Sequence, residues 1–151
     1  MKSDRDPEVT RKIMSSIHSQ DTKPEMLIRK ALFQDGFRYR VHYRGLPGKP
    51  DVVFTRVKLA VFIDGDFWHG HNWVIRDYGS FDEELKRYSP FWQEKIQRNV
   101  ERDRITTAAL ESMGWFVVRL WESDIRRDLK NCLSLIESNY RRLDEVKRNT
   151  E

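Results

Sequence analysis

Residues 51–71 read DVVFTRVKLAVFIDGDFWHGH, and this stretch constrains the fold more than any other. Two apolar, β-branched runs flank a polar break at Thr55 and Arg56, the pattern of a hairpin. With the bend near Arg56 and Val57, Asp51 at the start of the first strand lies opposite or diagonal to positions 62–64 of the second. Cross-strand neighbours approach within about 5–8 Å, so Asp51 and Asp64 are expected to meet in space. A pair of carboxylates held this way suits a hard divalent cation such as Mg²⁺. The competing reading makes both acids solvated strand-end residues. His69 follows, with an imidazole suited to taking a proton from water near neutral pH. His69 and His71 with Asp66 suggest zinc instead, yet no fourth ligand and no nearby cysteine completes a tetrahedral set.

Around this centre the chain alternates between helix and strand patterns. A short helix is expected over 8–19. A second opens at Thr22 and Glu25, a capping box with Pro24 in the first turn, and buries Leu27, Ile28, Ala31 and Leu32 before Gly36 stops it. FRYRVHYRG alternates Phe37, Tyr39, Val41 and Tyr43 with Arg38, Arg40, His42 and Arg44, as in a half-buried strand with a basic outer face. LPGKP is a turn, and residues 72–89 read as a loop. Ser89 and Pro90 start a long helix that Gly114 ends. WFVVRLWES is apolar enough for a central strand. An amphipathic helix over 124–145 carries Leu129, Leu133, Ile136, Tyr140 and Leu143, with Cys132 packed as a small hydrophobe. The expected architecture is α/β, a mixed sheet with helices on both faces.

The 151 residues favour one domain, 1–151, with a single core. Lys and Arg number 28 against 24 Asp and Glu, a net charge of +4 that leans towards an anionic partner. Arg38, Arg40, Arg44, Lys49, Lys95, Arg98, Arg102 and Arg104 offer phosphate contacts; on the helix, a solvated face of i,i+4 pairs explains them equally. Phe67 and Trp68 are either core or an apolar wedge for a duplex. The lone cysteine excludes an internal disulfide. Without an apolar leader or spanning segment, a soluble cytoplasmic protein with no membrane partner is expected.

Five blocks, SIHSQDTKPE, LPGKPDVVF, VFIDGDFWHGH, FWQEKIQRNVERD and LESMGWFVVRLWE, occur in an order that resembles the very short patch repair endonucleases. They span roughly residues 10–122. The resemblance implies a restriction-endonuclease-like fold and Mg²⁺-dependent nicking of double-stranded DNA beside a T:G mismatch. By position it makes Asp51 the metal-binding aspartate, His69 the catalytic histidine, Asp103 the acid supporting it, and Glu25 a further active-site acid. Phe67, Trp68 and Trp92 match the aromatic wedge; Asn99 lies in the same block as Asp103, and Asn99 and Lys49 are taken with the wedge as candidate DNA contacts. Asp64 stands where the wider superfamily has its second carboxylate, and Asp66 where that pattern has lysine. The family's structural zinc uses three cysteines and a histidine; here those positions hold Asp66, His71, Trp73 and Ser123, so that zinc is expected to be absent. A mismatch-repair protein or a cytosine methyltransferase is the partner implied. Two other functions stay open: a restriction or anti-phage nuclease without mismatch preference, and a non-catalytic DNA-binding module.

Overall fold

The computed structural model describes residues 21–151, so the helix expected over 8–19 lies outside them. These residues form two compact units, one of 23–64 with 105–151 and one centred on 65–104.

The first unit is built on a three-stranded mixed sheet in the order β1-β2-β3. Strands β1 (Val52–Phe54) and β2 (Leu59–Asp64) are the expected hairpin, antiparallel with Val52 opposite Val61 and Phe54 opposite Leu59. The bend covers residues 55–58, with Lys58 at φ 57°. Strand β3 (Phe116–Trp121) runs parallel to β2, pairing Leu59 with Phe116 and Asp64 with Trp121. Among the described residues β3 is therefore an edge, and β2, buried along its whole length, takes the central place expected of β3.

Helices cover both faces. On one side α1 (Lys23–Gln34), α5 (Glu122–Arg127) and α6 (Leu129–Thr150) bury Ile28, Leu32, Ile125, Cys132 and Ile136 against Val52, Phe54, Val61 and Leu120. On the other, Ala60 and Phe62 pack with Leu110, from the last turns of α4 (Pro90–Ser112). Burying one Leu or Ile side chain contributes roughly 1.5–3 kcal/mol. Cys132 is buried as expected. The single helix expected over 124–145 is two, because Asp128 leaves helical geometry (φ −150°, ψ 76°) and its side chain accepts the Asn131 N–H as an N-cap.

Two further expectations are corrected. In α1 the buried face is Glu25, Ile28, Arg29 and Leu32, whereas Leu27 is exposed. Glu25 and Arg29 tolerate burial because they bond each other at 3.2 Å. The segment at 37–44 keeps its alternating burial but forms one isolated bridge, Arg40 to Val53. His42 at φ 53° breaks the extended backbone, and Phe37 is held by edge-on contacts with Phe54 and Tyr140 at 6.4 and 5.2 Å.

In the second unit, residues 72–89 are not a loop throughout. They include α2 (Asn72–Ile75) and α3 (Phe81–Leu85). The signal lies in Ser80-Phe-Asp-Glu83: the Ser80 hydroxyl accepts the Glu83 N–H at 3.1 Å, and three acids fill the first turn. Helix α4 starts and ends where Pro90 and Gly114 predict, with Gly114 at φ 88° beyond its end.

Candidate active site

Three carboxylates converge in the sheet unit. The hairpin register places Asp51 diagonally across from Ile63, whose N–H donates to Asp51 Oδ2 at 2.7 Å. Asp51 also shares a hydrogen bond with Glu25, at the start of α1, and feels the charge of Asp64 at the end of β2. Burial, then the repulsion of Glu25 and Asp64, pushes the Asp51 carboxyl up to about 7, against the opposing pull of the Ile63 N–H.

Asp64 is 5% exposed and accepts two hydrogen bonds from Arg119 Nη1, at 3.0 and 3.1 Å. The same guanidinium donates from Nε to Thr107 Oγ1 at 2.8 Å and stacks over Phe62 at 4.1 Å. Arg119 is a site residue that the sequence reading misses; its signal is a single arginine inside the apolar run FVVRLW, where a half-buried guanidinium calls for an acidic partner.

The carboxylates Glu25, Asp51 and Asp64 outnumber the nearby guanidinium groups of Arg29 and Arg119, and carboxylate oxygens are the ligands a hard divalent cation takes. Asp51 and Asp64 could hold a divalent cation.

In the other unit, His69 Nδ1 is hydrogen-bonded to Asp103 Oδ2 on α4. A carboxylate acceptor fixes the proton on Nδ1 and leaves the ring's lone pair on Nε2, the arrangement of an oriented general base. Asn99, one helical turn before Asp103, donates to the Trp68 carbonyl at 3.1 Å and so ties α4 to the loop that carries His69. Gly70 permits the tight passage behind His69. It sits at φ 70°, and a Cβ there would lie 2.6 Å from Phe81 and 3.0 Å from Val100.

The aromatic residues gather around Phe67, which meets Trp68, Tyr88 and Trp92 edge-on at 5.5, 5.3 and 5.7 Å; Trp68 and Trp92 lie 5.2 Å apart. Trp68 is only 3% exposed and serves as the base of the cluster. Phe67 and Trp92 are partly open. Tyr88 belongs to the same group, although its place in an unpatterned segment hid it from sequence reasoning. Lys49 is exposed two residues before Asp51, with φ 53°.

Asp66 and His71 bond each other, Oδ1 to Nδ1 at 2.6 Å. The Trp73 N–H donates at 2.6 Å to the fully buried Glu84, whose other oxygen accepts the Tyr88 hydroxyl at 3.0 Å. Burial raises the Glu84 carboxyl despite both bonds. The four positions of the family's zinc site thus supply a carboxylate and an imidazole engaged with each other, an indole and a hydroxyl. That chemistry does not fit the thiolate-rich structural zinc.

Known proteins share this sequence along most of its length. The family model for the DNA mismatch endonuclease Vsr matches residues 3–75. The type II nicking enzyme V.NmeDIP of Neisseria meningitidis serogroup C is 39% identical over 135 residues, covering 89% of this chain and 88% of that protein. The type II nicking enzyme V.HpaIIP of Haemophilus parainfluenzae is 43% identical, with 83% and 84% covered. The DNA mismatch endonuclease Vsr of Escherichia coli is 36% identical, with 76% and 70% covered. The chain belongs to the Vsr family of DNA mismatch endonucleases and is a DNA endonuclease.

Proposed function

We propose that this endonuclease nicks one strand of double-stranded DNA at or beside a T:G mismatch by Mg²⁺-assisted phosphodiester hydrolysis. Residues 1–151 act as one nuclease domain of restriction-endonuclease-like fold, working in the cytoplasm. The observation that carries the hydrolytic reading is the His69–Asp103 pair. His69 Nε2 takes a proton from the attacking water, while Asp103 holds the Nδ1 proton and stabilises the imidazolium that forms. Asp51 and Asp64 are the metal ligands, and Glu25 sets the charge of Asp51. Bound Mg²⁺ supplies polarisation of the phosphate and charge stabilisation at the departing 3′ oxygen.

Phe67 and Trp92, backed by Trp68, form the wedge that enters the distorted duplex. Lys49 contacts a phosphate near Asp51, and Asn99 keeps the wedge loop on α4. A mismatch-repair protein or a methyltransferase is the partner to look for.

Nicking of matched and T:G-containing plasmid, with and without Mg²⁺, tests this reading. His69→Ala is expected to lose roughly 10²–10⁴-fold in rate, and Asp51→Ala at least as much. Wild-type cleavage by either variant sinks the mechanism. Equal nicking of matched DNA would identify a restriction-type nuclease instead. Binding without cleavage under any divalent metal would identify a non-catalytic module.

A further inference from the structure

The exposed side of α4 carries a pattern that the proposed active site does not use. Phe91, Lys95, Arg98 and Arg102 follow at spacings of four, three and four, which at 3.6 residues per turn confines them to a stripe about 60° wide. Phe91 is the most exposed large apolar side chain among the described residues, at 64%. Its ring is not isolated, because it meets Trp92 edge-on at 5.0 Å and so extends the aromatic cluster into solvent. Arg98 and Arg102 are exposed and Lys95 is half-buried. Lys95 and Arg102 make no ion pair among the described residues. Arg98 pairs only with Glu94, and both side chains of that pair are largely exposed, a contact that costs little to exchange. The stripe borders the helix face that bears Asn99 and Asp103.

We infer that this stripe is a contact surface for one DNA strand, with Phe91 stacking on a base and Lys95, Arg98 and Arg102 on successive phosphates. The cations span about 10 Å along the helix axis, the axial rise of about three nucleotides at ~3.4 Å each. An apolar ring heading a row of cations matches a strand with an unstacked base next to a run of backbone charge. The stripe's own four positions hold no acid; Glu94 and Glu101 flank it, and Glu94 reaches Arg98 through an exposed pair that a phosphate can displace.

The inference rests on DNA being the substrate, but not on the mismatch preference or the catalytic assignments. Binding in EDTA to a duplex with one T:G mismatch and 2-aminopurine beside it tests it without cleavage. The triple variant Lys95→Gln, Arg98→Gln, Arg102→Gln should flatten the slope of log K against log salt by about 3. The exposed control triple Arg126→Gln, Lys130→Gln, Arg148→Gln, on α5 and α6, should leave the slope nearly unchanged. Phe91→Ala should weaken binding roughly 5- to 100-fold and reduce the 2-aminopurine signal, with the salt slope intact; Phe91→Trp should restore both. An equal slope change in the two triples, or wild-type affinity in Phe91→Ala, overturns the inference. Inactive His69→Ala with normal binding leaves it standing, so the two readings fail separately.

Discussion

Asp51 works against its own ionisation. Its carboxyl titrates near 7 because burial and two neighbouring acids outweigh one backbone N–H. An unfolded aspartate titrates at about 3.9, so the metal-free folded chain binds this proton more tightly than the unfolded chain does. Below about pH 4 the carboxyl is protonated in both states and costs nothing. Between about pH 4 and 7 the unfolded state ionises first, and stability falls as pH rises; above 7 the loss is constant. Asp51→Asn removes that slope. In EDTA its melting temperature should exceed wild type by on the order of 10 °C at pH 8 and match it near pH 4. A constant difference across that range would show that the repulsion is not the cause. The variant should be inactive at every pH, since it loses the charge that attracts the cation.

At the scale of elements, the hairpin and the start of α4 were legible because their signals are local: β-branched runs around a polar break, and Ser-Pro before a long periodic segment. Strand order was not. Whether FVVRLW is central or edge depends on which strand the chain returns beside, and apolarity alone does not record that. The division between α5 and α6 turns on one residue, Asp128, whose capping role a helical periodicity does not reveal. The Ser80 cap of α3 is equally local and equally hidden, because the helix it starts is only five residues long. Ser80→Ala should cost about 1 kcal/mol, seen as faster hydrogen exchange in residues 81–85 with the sheet unaffected. Gly70→Ala should do more, because it meets both a left-handed backbone and the Phe81 ring. Its nicking rate should fall well beyond its loss of stability, since the displaced segment carries His69. Equal proportional losses in rate and folded fraction would argue that Gly70 serves packing alone.

Across the whole molecule the charges nearly balance, 28 bases against 24 acids, and what differs from place to place is how deeply they are buried. Glu25, Asp51 and Asp64 lie together in the sheet unit, whereas the charged side chains of α4, four acids and four bases, are mostly exposed. The candidate site residues stand out in the sequence chiefly through the ordered blocks and the hairpin geometry. Their electrostatic partners Arg29 and Arg119 do not, because pairing a buried charge is a tertiary fact. The clustering of these three acids makes stability itself a reporter of metal binding. No described helix is long and apolar enough to cross a membrane. For a cation bound with a dissociation constant of about 1 mM, adding about 10 mM Mg²⁺ stabilises the folded state by roughly 1.4 kcal/mol, or about 3 °C in a chain of this size. The increment should be present at pH 8, where Asp51 is ionised, and fade towards pH 6, where the proton competes for the same oxygen. Asp51→Asn should abolish it. Arg119→Met should unfold the chain partly or, where folded, enlarge the Mg²⁺ increment, because the guanidinium no longer neutralises Asp64. A Mg²⁺ effect of equal size in wild type and Asp51→Asn would remove Asp51 from the metal site.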